Sequence, residues 1–410
     1  MGMRTAILPL LLLTGCASVE PRMTATPVSQ AGIAFDATRE LGTFAQGLAD
    51  PATGRAITPD DPARVASVSK LVVAVGVMKL VEQRRLNLDS DVSQWLGWPL
   101  RNPAFPDQAI TLRHLLSHTS SLRDHDDQYA IRLGGTVQAT VGEASSWDLK
   151  HGPAARFFTY ANLNFPVIGS IIERVTGERF DKWMRREVLD PMRIDACFNW
   201  PTCSDAAVAR AVVLMQNGKV VRDDLKGRQP DCPVFVREGD SCDLTRYRPG
   251  DNGALFSPQG GLRISVRGLA RVGQMLLNGG TLDGVRIISP QSVDLLLAPH
   301  WRFDGGNGET DKGFYCSYGL GSQQIPNPRP GCSDDPLGGA VGGAGRVSGQ
   351  WLGHAGEAYG LRSGLWIDRA RGVGIAYFAT GLAADPPAGR SAFRAVEEAA
   401  FARAAKLIRR

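Results

Sequence analysis

The sequence predicts an α+β chain, with antiparallel strands near both ends and a buried helix between them. Three patterns carry that expectation. Residues 361–367 and 372–380 alternate like paired strands and are joined by a turn at Asp368-Arg369-Ala370-Arg371. Short apolar groups between Ile33 and Ala49 read as two further strands near the start. Residues 71–78 are apolar on every side, and the run continues through Lys79 to Arg85, too long for a strand. A helix that is apolar all round belongs in a core.

Length and composition set the bounds. A chain of 410 residues can bury a large core in one to three domains. With 43% hydrophobic and 21% charged residues it has an ordinary globular composition. The net charge of +5 is spread along the chain with no block of like charges, so nucleic acid is not an expected partner.

Taken in order, residues 1–15 read as a signal peptide: Arg4 gives a positive start, and 6–13 form an apolar run too short to remain as a membrane span. Leu13-Thr14-Gly15-Cys16 resembles the lipobox of bacterial lipoproteins. That resemblance implies lipidation of Cys16, and Ala17 after it resembles sorting to an outer membrane. The expected location is therefore the bacterial cell envelope, facing the periplasm, with the membrane contacted through the N-terminal lipid. Residues 16–32, polar and holding Pro21 and Pro27, read as a tether, and 33–410 as the folded part.

Further on, residues 87–98 form a turn with a short helix, and 112–118 another. His114 and His118 stand four apart, a metal-ligand spacing, but no third ligand accompanies them, and no metal is expected. A helix is expected over 164–175, ended by Gly177, and an amphipathic one over 180–188. Gln216-Asn217-Gly218-Lys219 reads as a hairpin turn, and 228–252 as a long loop. Ser265 reads as the cap of a helix running through Leu277. The glycine-rich stretch 338–349 lacks the Gly-Lys-Ser/Thr ending of a phosphate loop and reads as a flexible loop. Residues 391–408 form a closing amphipathic helix with Phe393, Val396, Ala400 and Ala404 on one face.

Beyond Cys16 there are six cysteines, an even number in a chain read as exported. Six allow fifteen pairings. They fall in three close pairs, so Cys197–Cys203, Cys232–Cys242 and Cys316–Cys332 is the economical expectation. No Cys-x-x-Cys supports a metal site instead.

The chemistry centres on Ser67-Val68-Ser69-Lys70. A serine hydroxyl is a weak nucleophile without a neighbouring base. Residues three apart on a helix share a face, so Ser67 and Lys70 can meet while Ser69 and Lys70 point apart. At a helix start the serine also lies near unpaired N–H groups and the positive end of the dipole. A Ser-x-x-Lys occurs about once by chance in a chain this long. Against that, the chain has only eight lysines, and no other has a serine three residues before it.

Further along come Tyr160-x-Asn162 and His354-Ala355-Gly356. With Ser67-x-x-Lys70 they make the chain similar to the serine β-lactamase-related family, which includes class C β-lactamases, DD-peptidases, D-aminopeptidases and certain esterases. Ala66-Ser67-Val68-Ser69-Lys70, Leu115-Leu116-Ser117-His118-Thr119-Ser120, Ile168-Gly169-Ser170-Ile171-Ile172-Glu173, Gly260-Gly261-Leu262 and Tyr318-Gly319-Leu320-Gly321 also resemble stretches typical of it, over residues 33–404. The resemblance implies that 33–410 is a catalytic domain of the serine β-lactamase/transpeptidase-like fold: an antiparallel sheet flanked by helices, built from the N-terminal stretch and about 265–410, with a mostly helical part inserted at about 80–264 and the site between the two. It implies Ser67 as the acylated nucleophile, Lys70 as its proton partner, Tyr160 as general base or acid, and Asn162 as a partner of the lysine or the substrate amide. The oxyanion hole would be the N–H groups of Ser67 and of Glu357, the residue after Gly356 on the sheet's edge strand. Lysine near pKa ~10.4 and tyrosine near ~10 are both too protonated to act as bases unperturbed, so the two are expected to act as a coupled pair.

The family's β-lactamases carry lysine where this chain has His354 and threonine where it has Ala355. The chain therefore reads as a serine hydrolase of a small ester or amide, with no metal or organic cofactor, acting as a monomer. His354 is expected to bind substrate, as an imidazolium clamp for an anionic group; otherwise it is a structural strand residue or a hydrogen-bonding partner of Tyr160. The alternatives for the chain as a whole are a class C-type β-lactamase or D-alanyl-D-alanine carboxypeptidase acting on cell-wall peptide, and an idle binding or scaffold lipoprotein of the same fold.

Overall fold

The computed structural model describes residues 27–221, 230–237, 239–338 and 349–408. Cys16 and its expected lipidation lie outside them, as do most of the glycine-rich stretch and part of the 228–252 loop. Nine strands form one antiparallel sheet: β1 (Ser29–Asp36), β2 (Glu40–Asp50), β3 (Arg55–Ala56), β4 (Trp301–Arg302), β5 (Ser317–Tyr318), β6 (Gln323–Ile325), β7 (Trp351–Ala358), β8 (Leu361–Asp368) and β9 (Val373–Thr380). Their order is β4-β5-β6-β7-β8-β9-β1-β2-β3. The two ends of the chain meet where β1 pairs with β9, from Ser29 opposite Thr380 to Asp36 opposite Val373. The first strand thus begins at Ser29, four residues inside the stretch read as tether.

Alternation along the strands covers the sheet on both faces. Ala31, Ile33 and Phe35 of β1 join Leu365, Ile367, Ala376 and Phe378 in one core. That core also takes in two helices, α1 (Val68–Glu82) and, later in the chain, α3 (Val266–Leu277). Ala34, Trp366, Ile375 and Tyr377 point the other way, onto Phe401 and Ala404 of α4 (Ala395–Leu407). The inserted part holds α2 (Asn164–Thr176), several short helices, and a small sheet of Ala63–Arg64, Leu262–Ile264 and Cys197–Phe198.

Helix α1 is made by burial rather than propensity. Val72, Val73, Val75 and Val77 are weak helix formers. Twelve of its fifteen residues are buried, and each fully buried Leu, Val or Met contributes about 1.5–3 kcal/mol. The helix is therefore fixed from all sides, which fixes whatever its first turn carries. Ser265 caps α3 as expected, its hydroxyl accepting from Gly268 N at 3.0 Å. The last helix begins at Ala395 instead of 391, because the residues before it are tied up in its cap. Ser391 N donates to Glu398 Oε1 at 2.8 Å and Arg394 N to Glu397 Oε2 at 3.0 Å. The three expected disulfides are formed, with Cα–Cα distances of 5.0, 5.6 and 6.0 Å.

Candidate active site

Ser67 stands at the N-cap of α1, directly after Ala66, whose φ of 48° puts a non-glycine residue in the left-handed region. Two bonds hold that turn. Ser69 Oγ donates to Ala66 O at 2.6 Å and accepts from Leu262 N at 3.0 Å. Lys70, one turn into the helix, is fully buried. Its Nζ donates to Ser67 Oγ at 2.9 Å, to Asn162 Oδ1 at 2.8 Å and to the Gln259 carbonyl at 2.8 Å. Three oxygens use all three donors of an ammonium. Burial nonetheless pushes its pKa down to about 7, with Asp124 pulling the other way.

Tyr160 moves in the opposite direction. Burial, the dominant cause, raises its hydroxyl well above the usual tyrosine range, although the Ser67 and Tyr315 side chains draw it down somewhat. That enclosed oxygen has no hydrogen-bond partner of good geometry among the described residues. The ring stacks between His118, at 4.3 Å, and Tyr315, at 4.6 Å, with Lys70 Nζ 5.0 Å from its centroid. The expected coupled pair therefore separates into a readily deprotonated lysine and a tyrosine held neutral, a hydrogen donor.

Strand β7 supplies the opposite wall. A Cβ on Gly356 would lie 2.4 Å from Val65 O and 3.1 Å from Ser67 N, so glycine is what lets the strand pass this close to the serine. The strand was expected at the sheet's edge. It lies inside the sheet, but β6 pairs only with Trp351–Gly353, leaving 354–358 uncovered on that side among the described residues. Ala355 N points to that side, donating to Gln323 Oε1 at 2.9 Å. By the two-residue period of a strand, Glu357 N–H emerges on the same edge. Ser67 N lies close to the neighbouring Gly356, 3.1 Å from where its Cβ would stand. The Glu357 side chain is 61% exposed and pairs with Arg362, away from that edge.

His354 is the correction. It is 1% exposed, and its Nε2 bonds Tyr318 Oη at 2.7 Å while Nδ1 meets the Ala355 carbonyl. Burial and then the Lys70 charge lower its pKa to about 3. A neutral, enclosed ring bonded to Tyr318 is not an imidazolium facing substrate. Ala355, Gly356 and Glu357 line the cavity with Ser67, Tyr160 and Asn162, and His354 does not. Among the described residues this cavity measures about 1100 Å³.

Sequence reasoning leaves four neighbours of the site unassigned. Asp124 accepts from Asn162 N at 2.7 Å, Asn162 Nδ2 at 2.9 Å and Leu163 N at 2.9 Å. Gln259 contributes only its carbonyl, and Tyr315 and Tyr318 belong to a local aromatic cluster. Tyr318 opens the Tyr318-Gly319-Leu320-Gly321 stretch, to which sequence reasoning gives no site role, while Asp124, Gln259 and Tyr315 belong to no motif and are brought in by the fold. His114 and His118 take structural places: His114 Nδ1 accepts from Thr111 N at 3.3 Å, and His118 Nδ1 from Ala161 N at 3.1 Å.

A two-faced antiparallel sheet, with a serine opening a buried helix and a lysine one turn on, is the β-lactamase/transpeptidase type of architecture. The Beta-lactamase family model matches residues 25–400, and the chain belongs to that family. Esterase EstB of Burkholderia gladioli is 32% identical over 171 residues, covering 37% of this chain and 42% of that esterase. Penicillin-binding protein 4 of Amycolatopsis lactamdurans is 26% identical over 271 residues, 66% of this chain and 65% of that protein. These matches thus span less than two thirds of either relative. The D-amino acid amidase of Ochrobactrum anthropi SV3 superposes with a TM-score of 0.63 at 19% identity, covering 93% of this chain and 94% of that one. At that identity the likeness concerns the fold.

Proposed function

We propose that the chain is a serine hydrolase that cleaves an ester or amide through an acyl-enzyme on Ser67. The observation that carries this reading is the contact of 2.9 Å between Ser67 Oγ and Lys70, an amine that burial brings to a pKa of about 7. In its neutral form Lys70 takes the Ser67 proton as Oγ attacks the substrate carbonyl. The N–H groups of Ser67 and Glu357 receive the oxyanion, an arrangement in which each donor is typically worth about 3–4 kcal/mol. Tyr160, held protonated, delivers a proton to the departing alcohol or amine and is recharged from Lys70. Water then enters and the same groups run in reverse to release the acid.

With His354 neutral and enclosed, the clamp for a substrate carboxylate is lost, and the reading favours acyl donors without one beside the scissile bond. A fluorophosphonate should label wild type and not Ser67→Ala. A panel of p-nitrophenyl esters, D-aminoacyl anilides and nitrocefin then sorts the substrates. Turnover of nitrocefin alone would make the β-lactamase or carboxypeptidase alternative the right one; absence of both label and turnover would leave the idle scaffold. Residues 6–13 and Leu13-Thr14-Gly15-Cys16 support a lipid-anchored envelope protein. Cys16→Ala should release it from membranes, and mass spectrometry of an unlipidated mature form would overturn that part.

A further inference from the structure

Asp124 is a half-buried carboxylate that takes no part in the steps above. All three of its hydrogen bonds go to one short stretch: Oδ2 accepts from Asn162 N and Asn162 Nδ2, and Oδ1 from Leu163 N. A carboxylate only accepts. By engaging Nδ2 it fixes which way the Asn162 amide faces, and the remaining end, Oδ1, meets Lys70 Nζ at 2.8 Å. We propose that Asp124 is a positioning residue: it aims the Asn162 amide oxygen at Lys70 and gives the buried ammonium its counter-charge. This inference rests on the reading of Ser67 and Lys70 given above.

The charged and titratable groups around the pair single it out. Lys70 is faced by Tyr160, and its charge is felt by His118 and His354, which burial keeps neutral. Asp124 is the charge that opposes burial at Lys70. Tyr129 and Tyr160 both feel the Asp124 carboxylate and are neutral themselves. The adjacent Arg123 is engaged elsewhere, 3.6 Å from Asp148 Oδ2 and 2.6 Å from Glu309 Oε1. Among the described residues, Asp124 is the one acid whose charge acts on Lys70.

Asp124→Asn removes the charge at constant size and introduces a donor that cannot face three N–H groups. The Asn162 amide loses its fixed orientation, and both effects disfavour the ammonium. The experiment follows the Lys70 Cε resonance in protein labelled with 13C at lysine Cε, assigned by its absence in Lys70→Arg, beside the pH dependence of fluorophosphonate labelling. In Asp124→Asn the Lys70 midpoint should fall by about one pH unit, and the acidic limb of labelling should move to lower pH with it. Asp124→Glu, which keeps the charge, should stay near wild type. If Asp124→Asn does not fold, Asp124→Ser gives the same two readings. An unshifted Lys70 midpoint overturns the inference, and a loss of thermal stability without that shift makes Asp124 a structural cap only. A wild type that is never labelled, with a midpoint that still falls in Asp124→Asn, refutes the hydrolase reading and leaves the inference standing.

Discussion

Lys70 and His354 are two fully enclosed cationic-type side chains beside the same tyrosine, Tyr160, and the fold treats them differently. Burial is the leading cause at both, and at both it disfavours the charged form. At Lys70 three oxygens surround the nitrogen and Asp124 adds a compensating charge, so the group settles at about 7. At His354 the partners are the Tyr318 hydroxyl and the Ala355 carbonyl, and the nearest charge is Lys70 itself, which repels; the group sinks to about 3. Burial by itself only neutralises. A group poised to exchange a proton in neutral water needs burial and a counter-charge in balance, and one of these two sites has both.

The comparison is broken most directly by removing each group in turn. Lys70→Ala should slow labelling and turnover at Ser67 by about 10³-fold or more, the scale of a lost proton acceptor acting with a nucleophile. His354→Gln keeps a side chain that can bond Tyr318, and should cost less than about tenfold. Rates of fluorophosphonate labelling and of p-nitrophenyl ester hydrolysis read both. Equal losses would mean that His354 takes part in the chemistry after all.

A sharper form uses pH. Because the neutral amine is the reactive form of Lys70, kcat/KM on a neutral ester should rise through about pH 7 and then level off. Tyr160 is raised well above its ordinary range, so no descending limb from it enters the neutral region. His354, lowered to about 3, stays uncharged throughout. Substrates with and without a carboxylate should therefore share one profile. A limb between about pH 6 and 7 seen only with carboxylate substrates would restore the imidazolium clamp.

Much of this could be read from the chain, and the failures have a common cause. Strands β8 and β9, helix α1, the Ser265 cap and the Ser67–Lys70 pairing each follow from a period or a local spacing, and periods survive folding. Strand β7 does not: Trp351-Leu-Gly-His-Ala-Gly-Glu-Ala358 contains two glycines and no clean alternation, because its glycines answer to neighbours such as Val65 O and Ser67 N. His354 was misjudged for a related reason. Its position in the motif is local information, but its protonation depends on Tyr318, which a separate strand brings to it. Asp124 reaches Asn162 across 38 residues, and no residue spacing announces that.

The smallest expected effect tests whether the two corners are independent. Cys316 immediately precedes β5, the strand that holds Tyr318 against His354, and its bond to Cys332 closes a loop with a sequence separation of 16. In the chain-entropy account a loop of this length is worth about 3 kcal/mol, against roughly 2 for one the size of Cys197–Cys203. Replacing Cys316 and Cys332 together by serine should lower the denaturant midpoint more than the same change at Cys197 and Cys203, with both variants still folded at room temperature. Loosening β5 acts on His354 through Tyr318. Lys70 is held by Ser67, Asn162 and the Gln259 carbonyl, none of which lies on that strand. The rise of activity through about pH 7 should then stay where it is in the Cys316, Cys332 variant. If the limb moves with the bridge gone, the Tyr318–His354 pair is coupled to Lys70, and the two sites would have to be treated as one titrating unit.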